Sequence, residues 1–143
     1  MGSASARSIA KIIKRRKGEI SHLCLRENSI KDVGLEALAK SIGESELIHL
    51  CIEQNGITAK GLNKLFKALQ GNSHMVSLAL GNRRYEGKNY VGAAAMPALV
   101  DYLQERSCMC QFLDLRGSNI RNKGLQILAR GLKNNSMLYS LNL

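Results

Sequence analysis

Two short runs carry the residue types with the most chemistry, His22-Leu23-Cys24-Leu25 and His49-Leu50-Cys51-Ile52. Two imidazoles and two thiolates form a ligand set for tetrahedral zinc. If the runs are neighbouring parallel strands, about 4.8 Å apart, His22 lies beside His49 and Cys24 beside Cys51 on one sheet face. Ligands spread flat on a sheet do not converge on a tetrahedron without backbone adjustment, and copies of one ancestral repeat share residues by descent. His22, Cys24, His49 and Cys51 are therefore metal candidates that rank below a reading with no metal and no cofactor. A disulfide between Cys24 and Cys51 is the oxidative alternative. His74 is the third and last histidine, and none of the three stands at a recognisable spacing from a nucleophile and an orienting carboxylate. Gly87 and Gly92 are isolated and are not followed by the Lys-Ser/Thr pair of a phosphate-cradling loop. No enzyme activity is expected.

The elements that would hold these residues recur along the chain. Leu23-Cys24-Leu25, Leu50-Cys51-Ile52, Leu78-Ala79-Leu80, Leu113-Asp114-Leu115 and Leu141-Asn142-Leu143 alternate with the period of a half-buried strand. Between them, Leu38 to Ile42, Leu65 to Leu69, Leu99 to Leu103 and Leu128 to Leu132 align without gaps, as does Ile9 to Ile13 ahead of the first strand. In the first complete unit Leu35, Leu38 and Ile42 share one face of a helix. The strands step by about 27 and then about 28 residues, a period at which each strand and helix must bury its apolar face against the next copy.

The pattern L-x-L-x-x-N-x-I-x-x-x-G-L-x-x-L is carried by Leu23, Leu25, Asn28, Ile30, Gly34, Leu35 and Leu38, and again by Leu50, Ile52, Asn55, Ile57, Gly61, Leu62 and Leu65. Leu113, Leu115, Ile120, Gly124, Leu125 and Leu128 repeat it with Ser118 in the asparagine place. This resembles the ribonuclease-inhibitor-like subfamily of leucine-rich repeats over nearly the whole chain. The resemblance implies an α/β leucine-rich-repeat solenoid, a right-handed arc with a concave parallel sheet and convex helices. It implies no catalysis, since the subfamily includes inhibitors, immune sensors, actin-associated and axonemal proteins and activators of the Ran GTPase. The physical reading is independent of the name. Asn28 and Asn55 can bond the backbone of a buried turn with both donor and acceptor, and Gly34, Gly61 and Gly124 are expected just ahead of each helix, where the backbone approaches its neighbour.

The expected units are 1–19, a basic helical half-repeat in which Met1, Gly2 and Ser3 read equally as a tag remnant; 20–46; 47–74; 75–109; 110–137; and 138–143, a strand half-repeat. The third unit contains about six extra residues within 82–92. There Asn82 falls one place early for the asparagine ladder, so the turn must be remodelled, and Pro97 sits near the start of the next helix, where its missing N–H matters least. Leu141 and Leu143 are core positions of a unit that stops, so the chain is expected to be part of a longer array or to associate end to end through its truncated edges.

The expected function is a non-catalytic scaffold that binds a protein partner on the concave face. Its contact residues would be Arg26, Glu53, Phe112, Asp114 and Arg116, with Arg83, Arg84, Tyr85 and Tyr90 of the insertion adding cationic and aromatic groups. The alternatives are a GTPase-activating protein of the Ran-activator type, for which no arginine matches an alignable motif, or the sensor or inhibitor module of a larger protein. The net charge of +10 gathers partly in Arg7 to Lys17, and Lys11, Lys40, Lys67 and Arg130 share one helical position that Asp101 interrupts. A stripe of this kind attracts acidic surfaces, but a solvated face is the commoner reading. With four tyrosines, two phenylalanines and no tryptophan, the chain lacks a base-stacking platform, which argues against nucleic acid. No apolar run is long enough for a membrane helix, no secretory signal is apparent, and four cysteines, Cys24, Cys51, Cys108 and Cys110, at strand or pre-strand positions fit a reducing, cytoplasmic setting.

Overall fold

A computed structural model describes residues 3–84 and 86–143. Helices and strands alternate through them: α1 (Ser3–Arg15), β1 (His22–Cys24), α2 (Lys31–Gly43), β2 (His49–Cys51), α3 (Ala59–Leu69), β3 (Ser77–Ala79), a 3-10 turn (Ala93–Ala95), α4 (Met96–Leu103), β4 (Phe112–Asp114), α5 (Arg121–Leu132) and β5 (Ser140–Asn142). The strands form one parallel sheet in sequence order, β1 to β5, with Leu23, Leu50, Leu78, Leu113 and Leu141 in a single row. Each strand is too short to hold a sheet alone. Its central leucine points at the helix layer, where Leu50, Leu78 and Leu113 are almost wholly buried against helix residues such as Leu35, Leu38, Leu62, Leu65 and Leu99. Burial of apolar area between the two layers is the main stabilising term.

The glycines expected ahead of the helices lie inside their first turns instead: Gly34 is in α2, Gly61 in α3 and Gly124 in α5. The reason is side-chain packing. A Cβ on Gly34 would stand 2.5 Å from Cγ2 of Ile30, and one on Gly124 would stand 2.5 Å from Cγ2 of Ile120, so glycine makes room for the isoleucine of the preceding turn. In the third unit the smaller Val91 precedes, and Ala95 takes the corresponding place, both fully buried. Pro97 falls within the first two positions of α4, as expected.

Buried turns follow the strands, and asparagine amides satisfy them. Asn55 Oδ1 accepts from the backbone N–H of Asn28 (3.0 Å) and Ile30 (3.2 Å), while its Nδ2 donates to the carbonyls of Leu25 (2.8 Å), Ile52 (3.1 Å) and Glu53 (2.9 Å). In the third unit this role passes to Asn89, at the far end of the extra residues. Asn89 Oδ1 accepts from Asn55 N–H (3.0 Å) and Ile57 N–H (3.1 Å), and its Nδ2 donates to the carbonyls of Ile52 (2.8 Å) and Leu80 (2.9 Å). Asn82, one place early, clasps the insertion shut. Its Oδ1 accepts from Asn89 N–H (2.7 Å), and its Nδ2 donates to the carbonyls of Asn89 (2.9 Å) and Gly117 (3.0 Å). Gln54 holds the loop from the other side, accepting from Arg83 N–H (3.1 Å) and donating to Glu86 O (3.2 Å).

The opposite end of the repeat has its own amides, which the sequence reading missed. Asn72 Nδ2 donates to the carbonyls of Gly43 (2.9 Å) and Ser45 (3.0 Å), and Asn135 Nδ2 donates to that of Leu103 (2.7 Å). Each Oδ1 also receives two backbone N–H groups of the run into the next strand.

Asn89→Ala would leave two buried N–H groups without acceptors and the Leu80 carbonyl without this donor, and should cost about 3 kcal/mol or more. Chemical denaturation should show this loss, whereas Asn63→Ala, on an exposed position of α3, should stay within about 0.5 kcal/mol of the parent.

Candidate functional site

The sheet face away from the helices is built in rows by the register. His22, His49, Ser77, Phe112 and Ser140 form one row, and Cys24, Cys51, Ala79, Asp114 and Asn142 the next. The ladder continues one step beyond the strands, through Leu25 N–H to Cys51 O (2.8 Å), Glu27 N–H to Glu53 O (3.1 Å) and Asn82 N–H to Arg116 O (2.7 Å). That continuation brings Arg26, Glu53, Gly81 and Arg116 into a third row.

Third-row charges gather around two carboxylates. Arg26 donates to Glu53 Oε2 from Nε (2.8 Å) and Nη2 (2.7 Å), the Cys51 thiol donates to the same oxygen (3.3 Å), and Arg83 Nε lies 3.5 Å from Oε1. Asp114 Oδ1 accepts from the backbone N–H and the Nε of Arg116 (both 3.0 Å), while Arg116 Nη2 bonds Oδ2. Burial pushes the Asp114 carboxyl up, but the hydrogen bonds and charge of Arg116, helped by the charge of Arg83, outweigh it and hold the group below the usual carboxylate range. Gly81 makes this approach feasible, because a Cβ there would sit 2.7 Å from Asp114 Oδ1 and 2.9 Å from Arg116 N.

The exposure of the cluster is asymmetric. The side chains of Glu53 and Asp114 are 2% and 15% exposed, whereas those of Arg26, Arg83 and Arg116 are 36%, 56% and 46% exposed. The carboxylates therefore fix the guanidiniums from beneath and leave one surplus positive charge at the surface. Two rows away on the same face, Phe112 is 41% exposed and meets the ring of Tyr139 edge to face, centroids 5.9 Å apart. Tyr139 stands 84% exposed just before β5 and was missed in the sequence reading, although an aromatic next to a strand of the array was the available signal. Arg84 is exposed on the insertion, and Tyr90 exposes its ring while its N–H donates to Ile57 O (2.7 Å). Tyr85, the remaining expected contact residue, lies outside the described residues.

His22 and His49 do fall side by side, but their rings stack, centroids 4.4 Å apart and planes 24° from parallel. Stacked rings aim their nitrogen lone pairs alongside each other, not at a common point. His22 Nδ1 is 2.8 Å from Ser21 Oγ, and no group of three or more histidine, cysteine, aspartate or glutamate side chains converges as a metal site among the described residues. Burial, followed by the neighbouring His22, pushes the His49 imidazole below its ordinary 6.5.

On the helix layer, Lys11, Lys40, Lys67 and Arg130 are all exposed, and so is Asp101. Glu44 lies 3.7 Å from Lys40, and Glu36 lies 3.8 Å from Lys64, which reduces the positive field of this side. No helix among the described residues is long and apolar enough to cross a membrane.

No known protein family profile matches the chain, and no curated protein matches it. Among solved structures, one titled leiomodin-1 actin-binding site 2 is similar in fold, with a TM-score of 0.78 and 16% sequence identity over 94% of this chain and 76% of that one. The shared fold is leucine-rich-repeat-like, with a parallel sheet backed by helices.

Two outcomes follow from this geometry. Glu53→Ala should destabilise by about 3 kcal/mol, because it strips two guanidiniums and a thiol of their acceptor; combined with Arg26→Ala, the total should fall short of the sum by about 1 kcal/mol or more in a double-mutant cycle. For His49 the folded pKa lies below the unfolded 6.5, so as pH falls through 6.5 the unfolded chain binds the proton first and stability declines until the folded value is passed. Thermal unfolding between pH about 7.5 and about 5 should show this decline, and His49→Gln should flatten it.

Proposed function

We propose that the chain is a non-catalytic protein-binding module whose sheet face takes an acidic stretch of a partner protein. The observation that carries this reading is the exposure of three guanidiniums, of Arg26, Arg83 and Arg116, held in place by carboxylates buried beneath them. Guanidiniums fixed in this way lose little conformational entropy on binding, and with five N–H groups each they have donors for a partner's carboxylates beyond those turned to Glu53 and Asp114. The Phe112 and Tyr139 rings supply an apolar anchor of the kind that dominates interface energetics. In this reading the units stack as a right-handed arc of the ribonuclease-inhibitor-like type, with the sheet on the inner side, and belong to a longer array in a cytoplasmic protein. The insertion, with Arg84 and Tyr90, borders the face and widens it, and Tyr85 is proposed as a further contact residue. That leiomodin-1 carries an actin-binding site on a similar fold supports a protein partner and makes filamentous actin a sensible first probe.

Co-sedimentation with actin filaments, and affinity capture from lysate read by quantitative mass spectrometry, should be run with the parent, Arg116→Glu, Phe112→Ala and the helix-layer control Lys67→Glu. A partner of this face should drop by about tenfold or more with the first two variants and persist with the control. Equal recovery on all four proteins would remove the sheet face from consideration.

A further inference from the structure

Cys24 and Cys51 are register partners on neighbouring parallel strands, β1 and β2. Such partners sit about 4.8 Å apart, inside the Cα separation of about 4.4–6.8 Å that a disulfide spans. Both thiols are free, Cys24 exposed and Cys51 half-buried beside it. The Cys51 thiol donates to Glu53 Oε2 at 3.3 Å. Burial, and after it the Cys24 thiol, pushes Cys51 up to about 11, so its proton needs an acceptor before its sulfur can attack. The other two cysteines, Cys108 and Cys110, are buried in the core and closed to solvent reagents.

We propose that Cys24 and Cys51 form a thiol–disulfide exchange site for a low-molecular-weight disulfide of the glutathione type. The Cys24 thiolate attacks one sulfur of oxidised glutathione, whose S–S bond breaks, and one glutathione thiolate leaves. The Cys51 thiol, hydrogen-bonded to Glu53 Oε2, gives up its proton to solvent base. The Cys51 sulfur then attacks Cys24 Sγ, breaking the mixed disulfide and releasing the second glutathione thiolate. Two protein thiols are oxidised by two electrons, one glutathione disulfide is reduced to two thiols, and the protons pass to solvent and the leaving thiolates. The new bond crosses β1 and β2 on the open sheet face and takes one hydrogen-bond donor away from Glu53, next to its contacts with Arg26 and Arg83. The exposed sulfur is thus the entry point and the half-buried one the resolving group.

The test is incubation of the reduced chain with oxidised glutathione, quenching with an alkylating agent, and intact mass with non-reducing peptide mapping. The parent should lose two hydrogens, yield a cross-linked peptide pair bearing Cys24 and Cys51, and revert with dithiothreitol. Cys51→Ser should stop at a glutathione adduct on Cys24, and Cys24→Ser should give no cross-link. Ring closure in the parent should quicken as pH rises, because the attacking sulfur is the one with the raised pKa. A lasting glutathione adduct on parent Cys24, pairing through Cys108 or Cys110, or unmodified parent protein alongside an oxidised dithiol control would each overturn the proposal.

Discussion

Everything in this fold depends on supplying hydrogen bonds to a turn that has been buried. After each strand the chain reverses toward the helix layer through a region enclosed by the next unit, where an unpaired amide or carbonyl carries the full penalty of desolvation. Asn55 and Asn89 meet that demand with a group that donates and accepts at once, and each bonds its own unit and the one before it. Stacking distance and strand register follow from these bonds as much as from the leucines. Leucines can slide against one another, whereas an amide bonded across two units cannot. Asn72 and Asn135 impose the same discipline at the other end of the strands.

That register is what composes the candidate site. Arg26 and Glu53 belong to different units and are 27 positions apart, yet the ladder sets them in one row, close enough for two hydrogen bonds to a single carboxylate oxygen. Arg83 arrives from the insertion and Arg116 from the turn just after β4, and both find carboxylates already in place. A buried ion pair is a weak source of stability, because desolvation offsets the Coulombic gain. Its contribution here is positional, since it holds long flexible cations in one orientation at the surface.

Much of this was legible in the residues. The alternation of Leu23, Leu50, Leu78, Leu113 and Leu141 with their polar neighbours marks strands because a strand has a period of two, and the strands lie where it points. Juxtaposition of His22 with His49 and of Cys24 with Cys51 also followed from the period. What could not be read was side-chain orientation. Two adjacent histidines suggest ligands, but whether the rings stack or converge depends on rotamers that no spacing encodes. The ladder role of Asn89 was hidden for another reason, because a fixed period places it several residues too far from Leu80, and only the Asn82 clasp brings it back into line. Glycine placement erred by one turn: the nearest contact is with the side chain of Ile30, Asp32 or Ile120, while the backbone of the preceding unit also comes close, Asp32 Cα at 3.1 Å from a Cβ on Gly61 and Ala93 Cα at 3.2 Å from one on Gly124.

The clasp has a consequence for how such a protein can change. Because Asn82 closes the loop on itself through Asn89, its two ends are fixed locally, and the preceding unit holds the loop only at a few points, through Gln54 to Arg83 and Glu86 and through Gly56 N–H to Gly87 O. Lengthening the loop would add closure entropy of about 0.6 kcal/mol for each doubling, while the interior stays as it is. The turn is therefore a place where new surface can be tried in sequence at little risk to folding, and where the array can diversify what it presents without altering how it is assembled.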